Sequence, residues 1–155
     1  MSTLENLFRI LDENGIEYKR FEHKPVKTSE EAARIRGVPL DSGVKAMLLK
    51  TREGKFIMVL LPADKKIDFK KIEELENTKK LSFASPEEVL KETGCEIGGV
   101  PPFGHTKREQ PHDIKAYMDR DVLEKNLVNF NAGDRSVSVT MKAKDLTKVV
   151  QAIVF

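Results

Sequence analysis

The chain has no tryptophan and one cysteine, Cys95, among its 155 residues. A lone thiol excludes an internal disulfide and suits a reducing, cytoplasmic compartment. Without tryptophan, the core has to be built from aliphatic side chains and eight phenylalanines. Apolar runs such as residues 57–61 are of strand length only, so no membrane span is predicted, and the opening Met-Ser-Thr-Leu-Glu predicts no signal peptide. Charge of one sign is not in excess either: 27 basic residues face 25 acidic ones, a net charge of +2. That balance gives no global field for nucleic acid, yet it permits a local basic face. Several catalytic signatures are missing as well. There is no Gly-x-Ser-x-Gly elbow, no His-Glu-x-x-His helix and no phosphate-binding P-loop.

What is present fits one domain over residues 1–155, long enough to bury roughly 70% of its unfolded surface. Capping patterns mark the helices. Ser2 with Glu5 opens one that buries Leu4, Leu7, Phe8 and Leu11 and stops at Gly15. Thr28 with Glu31 opens a second, through Ala32, Ala33 and Ile35 to Gly37. Asp68 caps a third with Phe69, Ile72 and Leu75 inward, and Ser85-Pro86-Glu87-Glu88 starts a fourth that ends at Gly94. Strands are predicted over 17–21, 45–50, 55–61, 81–84, 113–119, 135–141 and 152–155, with a short helix over 145–150. The second and third make a hairpin, and 135–141 turns Val137, Val139 and Met141 inward, leaving Ser138 and Thr140 on an outer face. Interleaved hairpins and scattered helices predict an α+β fold around a mixed sheet.

The least regular segment is Gly98-Gly99-Val100-Pro101-Pro102-Phe103-Gly104. Its glycines allow backbone to approach a ligand, and its prolines stiffen the path. Two readings stand: a tight structural connection, or a rigid loop whose N–H groups hold a developing oxyanion. Lys45 likewise reads as a solvated strand end or as an ammonium held in a cleft by a rigid strand. His23, His105 and His112 match no zinc spacing with Cys95, so neither metal nor cofactor is predicted. His23 reads as a loop residue, and Cys95 as a packed thiol, since no histidine is near it in sequence. The pairs at Lys65-Lys66, Lys70-Lys71 and Lys79-Lys80 are a charged helix surface or a track for phosphates.

In order along the chain, these features resemble the YbaK/prolyl-tRNA-synthetase-associated editing-domain family. The resemblance rests on His23 with Thr28, Glu30-Glu31-Ala32-Ala33, Val44-Lys45, Pro62-Ala63-Asp64 and Thr93-Gly94. It continues through the glycine-rich loop from Gly98 to Gly104, Asp119, and Asn131-Ala132-Gly133. It implies a barrel-like mixed sheet with helices packed around it, and a free-standing enzyme. The implied reaction is hydrolysis of the ester joining a wrong, small amino acid, alanine or cysteine, to tRNA, with tRNA for proline as the expected carrier. Mischarged tRNA is then the partner, with prolyl-tRNA synthetase a candidate second one. The first rival reading is a non-catalytic module that binds the tRNA acceptor end or a synthetase, and the second is a small-molecule hydrolase or nucleotide-binding protein sharing the fold. By resemblance, Lys45 with Gly98 and Gly99 would carry catalysis. Val100, Pro102 and Gly104 would hold substrate, Asn131 and Gly133 would floor the pocket, and Phe21, His23 and Thr28 would rim it. Phe21 stands where several members have an aromatic hydroxyl, Asn131 where cysteine-removing members have serine, and Pro101 where a small residue is common. These departures bear on which amino acid is removed.

Overall fold

The strands pair into two sheets. In a computed structural model describing residues 1–106 and 114–155, the first is antiparallel and contains β1 (Tyr18–Glu22), β6 (Leu127–Asn131) and β7 (Val137–Lys142), ordered β1-β7-β6. The second contains β2 (Val44–Lys50), β3 (Phe56–Pro62), β4 (Ser82–Phe83), β5 (Ala116–Met118) and β8 (Ala152–Val154), ordered β4-β2-β3-β5-β8. Its β4-β2-β3 part is antiparallel and its β3-β5-β8 part parallel, so the sheet is mixed. A parallel bridge between Gly43 and Asn129 joins the two sheets at the foot of β2. Around them lie α1 (Thr3–Glu13), α2 (Ser29–Arg36), α3 (Phe69–Glu76), α4 (Pro86–Thr93) and the short α5 (Arg120–Leu123) and α6 (Leu146–Val149).

β3 is covered on both faces, which explains its uninterrupted apolar run. Met58 and Leu60 join the main core with Val44 and Leu48 of β2, Phe130 of β6, Val139 and Met141 of β7, and Leu7 and Leu11 of α1. Ile57, Val59 and Leu61 face the other way, onto Ile72 of α3 and Tyr117 of β5. Leu75, expected on the inner face of α3, is 40% exposed, because Ile72 alone reaches the sheet fully buried.

Of the three Ser/Thr–Glu capping pairs, only Ser85 with Glu88 closes the reciprocal box. Ser2 and Thr28 each accept an N–H from the glutamate three residues on, but Glu31 turns its carboxylate to the Lys27 N–H. The strand at Leu127–Asn131 and the helix at Arg120–Leu123 were not foreseen from the sequence. Asparagines at two of five β6 positions hide that strand, and both side chains are held by specific partners. His112 and the start of the strand expected over 113–119 lie outside the described residues.

Candidate functional site

A cavity of about 480 Å³ opens where the two sheets meet. Its walls are α2, the first half of β2 and one end of the glycine-rich loop, a size usual for a small-ligand site. Most of the lining is apolar, including Val26, Ala32, Ala33 and Met47. Its charged members are Lys27, Arg36 and Lys45, and no described lining residue is acidic. In a chain of near-zero net charge, such a one-signed cavity favours an anionic ligand.

Lys45 reaches it from the foot of β2, cross-strand from Leu61. Its ammonium makes no hydrogen bond or ion pair to a described residue. Partial burial pulls its pKa below that of a free lysine, and the more distant Glu30 and Asp64 pull the other way. Thr28, the N-cap of α2, also lines the cavity while accepting the Glu31 N–H at 3.1 Å.

The loop contributes Gly98 and Val100 to the lining, while Pro101, Pro102 and Phe103 are buried behind it. Of Val100, Pro102 and Gly104, expected by resemblance to hold substrate, Val100 alone is in the described lining. Anchors fix the loop's backbone. The Gly99 N–H donates to the Glu96 carbonyl at 2.9 Å, so this donor is already engaged. The Gly133 N–H donates to the Gly99 carbonyl at 2.9 Å, which directs the Val100 N–H of the same peptide the opposite way. Asn131 Nδ2 donates to the Gly98 carbonyl. Of the loop residues that line the cavity, Gly98 and Val100 make no N–H hydrogen bond to described residues, so both donors are available to a ligand. His105, buried, braces the loop with Nε2 2.6 Å from the Pro101 carbonyl.

Gly104 and Gly133 lie behind the loop, outside the described lining, with φ of +83° and +100°. A Cβ on Gly104 would stand 3.1 Å from Leu7 Cα, and one on Gly133 2.9 Å from the Leu4 backbone nitrogen. Both glycines let the chain lie against α1. Phe21 is 40% exposed on β1, paired with Ser138, and neither it nor His23 is in the described lining. His23 instead joins a part-buried network. Its Nδ1 is 2.8 Å from the Lys24 carbonyl, to which it donates, and its Nε2 is hydrogen-bonded to the Ser138 hydroxyl at 2.6 Å.

Ser138 corrects the sequence reading of an outer face. It is fully buried, because Arg36 of α2 and His23 cover that side of β7. Arg36 Nε–H donates to Ser138 Oγ at 2.9 Å and Nη2–H to Asn131 Oδ1 at 2.7 Å. Burial pulls the Arg36 pKa down to about 10, which leaves it cationic at neutral pH. Sequence reasoning missed Arg36 entirely. Its one local signal was an arginine just before a helix-ending glycine, where a dipole reading suffices.

Cys95 is buried, with its thiol pKa raised by burial and Sγ 3.5 Å from the Thr93 carbonyl. Among the described residues no group of His, Cys, Asp and Glu is placed to hold a metal ion, and no helix is long and apolar enough to cross a membrane. Lys65 of the lysine pairs is tied to Asp119 and Asp121.

Residues 23–149 match the model of the aminoacyl-tRNA editing domain. The chain is 32% identical over 143 residues to the prolyl-tRNA editing protein ProX of Acetoanaerobium sticklandii, covering 92% of this chain and 87% of that protein. It is 30% identical over 154 residues to the multifunctional Ser/Thr-tRNA deacylase ProXp-y of Escherichia coli K12, covering 96% and 89%. A crystal structure described as a candidate trans-editing enzyme for prolyl tRNA synthetase superposes with a TM-score of 0.82 at 26% identity, covering 100% of this chain and 96% of that one. The chain belongs to the aminoacyl-tRNA editing-domain family.

Proposed function

We propose that this protein is a trans-acting deacylase that hydrolyses the ester of a small amino acid wrongly attached to tRNA. One observation carries the reading. The cavity combines Lys27, Arg36 and Lys45, without an acidic residue in its described lining, with Gly98 and Val100, whose N–H groups bond to no described residue. Cations suit the phosphates and terminal ribose of tRNA, and paired N–H donors suit an ester carbonyl whose oxygen gains charge. The ester is already activated, so positioning the attacking oxygen and stabilising the oxyanion suffices. Water, or a hydroxyl or thiol of the substrate, adds to the carbonyl carbon. The tetrahedral intermediate then expels the ribose oxygen, which takes up a proton as the tRNA 3′-hydroxyl is restored. Ser138 and Cys95 are buried and take no part as nucleophiles.

The amino acid removed is small, with alanine or cysteine first. Asn131 is bound by Arg36 and Gly98, so a serine there would change the loop's support as well as the pocket floor. The E. coli relative's name adds serine and threonine to the esters to be tried. Exclusion of a larger ring is the physical basis, since a pocket discriminates by only about 1–3 kcal/mol per methylene against something smaller. Single-turnover hydrolysis of alanyl-, cysteinyl-, seryl-, threonyl- and prolyl-tRNA for proline tests this. One of the first four is expected to be cleaved fastest and prolyl-tRNA slowest. Prolyl-tRNA cleaved as fast as the best substrate would end the sieve reading, and binding without turnover of any would favour a non-catalytic tRNA-binding module.

A further inference from the structure

Arg36 is a guanidinium partly buried among neutral partners. Its hydrogen bonds go to Ser138 and Asn131, and it has no carboxylate partner among the described residues. A cation kept under those conditions is costly, as its lowered pKa reflects. Its geometry offers what a lysine or an apolar side chain does not. The planar fork holds the Ser138 hydroxyl at Nε and the Asn131 amide oxygen at Nη2 at once, and so fixes both side chains.

That fork also decides which way the Asn131 amide points. With Oδ1 taken by Arg36, Nδ2 is turned to the Gly98 carbonyl, and a flipped amide would set donor against donor. The peptide between Gly98 and Gly99 is then held from both sides. Its carbonyl takes the Asn131 N–H, and its N–H goes to the Glu96 carbonyl at 2.9 Å. Gly98 has φ +90°, a conformation with little intrinsic preference to hold it there. We infer that Arg36 is a positioning residue, which acts through Asn131 to fix the Gly98–Gly99 peptide and thereby aim the loop's open N–H groups into the cavity.

This inference rests on the deacylase reading for its kinetic arm but not for its structural arm. Arg36→Lys keeps the charge and loses the fork, and Asn131→Ala removes the link. Each is expected to lower kcat about 10²-fold with KM changed by less than about threefold, and the double variant to lose little more, because the two act as one unit. In parallel, the backbone amide resonances of Gly98 and Gly99 are expected to move alike in both single variants. A lysine that restores the parent kcat would show that charge alone matters and overturn the inference. So would Gly98 and Gly99 resonances that stay at their parent positions in folded Arg36→Lys or Asn131→Ala protein. A parent that cleaves no aminoacyl-tRNA would remove the proposed function, while the resonances would still decide whether the lock exists.

Discussion

Lys45→Ala is expected to lower single-turnover deacylation by about 10²–10³-fold and to leave the fold intact, the usual cost of removing one preorganised electrostatic group. The side chain leaves the foot of β2, a strand paired along its full length with β3, so its root is rigid. Its ammonium enters the cavity without a hydrogen-bonding or ion-pairing partner among the described residues, and substrate is the natural source of one. Removing it breaks no described bond, and stability should hardly change. Partial burial lowers its pKa, so the protonated form is lost at a lower pH than for an exposed lysine. The sign is therefore fixed: kcat/KM, corrected for spontaneous ester hydrolysis, should fall as pH rises through that lowered pKa. Lys45→Arg should move this fall to higher pH or abolish it. A folded Lys45→Ala protein with near-parent activity would remove Lys45 from the mechanism.

How much of this was legible beforehand depended on how far each residue's partners lie along the chain. Helix starts at Ser2, Thr28, Asp68 and Ser85 are written within four residues, and all four side chains accept the N–H three residues on. Of the Ser/Thr–Glu pairs, though, only Ser85 with Glu88 closes the reciprocal box. The β2–β3 hairpin is equally local. Lys45 and the glycine-rich loop stood out by composition and by resemblance, and both reach the cavity wall. Arg36 did not stand out. Its contacts are 95 and 102 residues away, and nothing around it in sequence distinguishes it from a solvated helix-end arginine. Ser138 was placed outward for a related reason. Alternation assigns it to the face opposite Val137 and Val139, and only the tertiary arrangement puts Arg36 and His23 on that face. The strand at Leu127–Asn131 hid behind Asn129 and Asn131, whose polarity is matched by Ser42, Thr140, Arg36 and Gly98.

Gly133→Ala is expected to destabilise the protein by about 2–5 kcal/mol, the sum of two separate costs. The first is conformational: φ is +100°, where an L side chain is strained by about 1–2 kcal/mol. The second is steric. The added Cβ would sit 2.9 Å from the nitrogen and 3.2 Å from the Cα of Leu4, which are backbone atoms in the first turn of α1. A helix whose inner face is buried in the main core cannot step aside cheaply, and overpacking of this kind costs about 1–3 kcal/mol. Gly98 provides the contrast. Its φ is also positive, at +90°, but a Cβ there would first meet the flexible Arg135 side chain at 3.2 Å, so only the conformational cost applies. For a chain of this length each kcal/mol lowers the melting midpoint by about 2–4 °C, so Gly133→Ala should melt roughly 4–20 °C below the parent and Gly98→Ala about 2–8 °C below it. The same comparison separates the two glycines by role, since Gly98 lines the cavity and Gly133 supports the loop from behind. Equal melting midpoints for parent and Gly133→Ala would mean that α1 does not press on this residue, and the packing role assigned to it would fall.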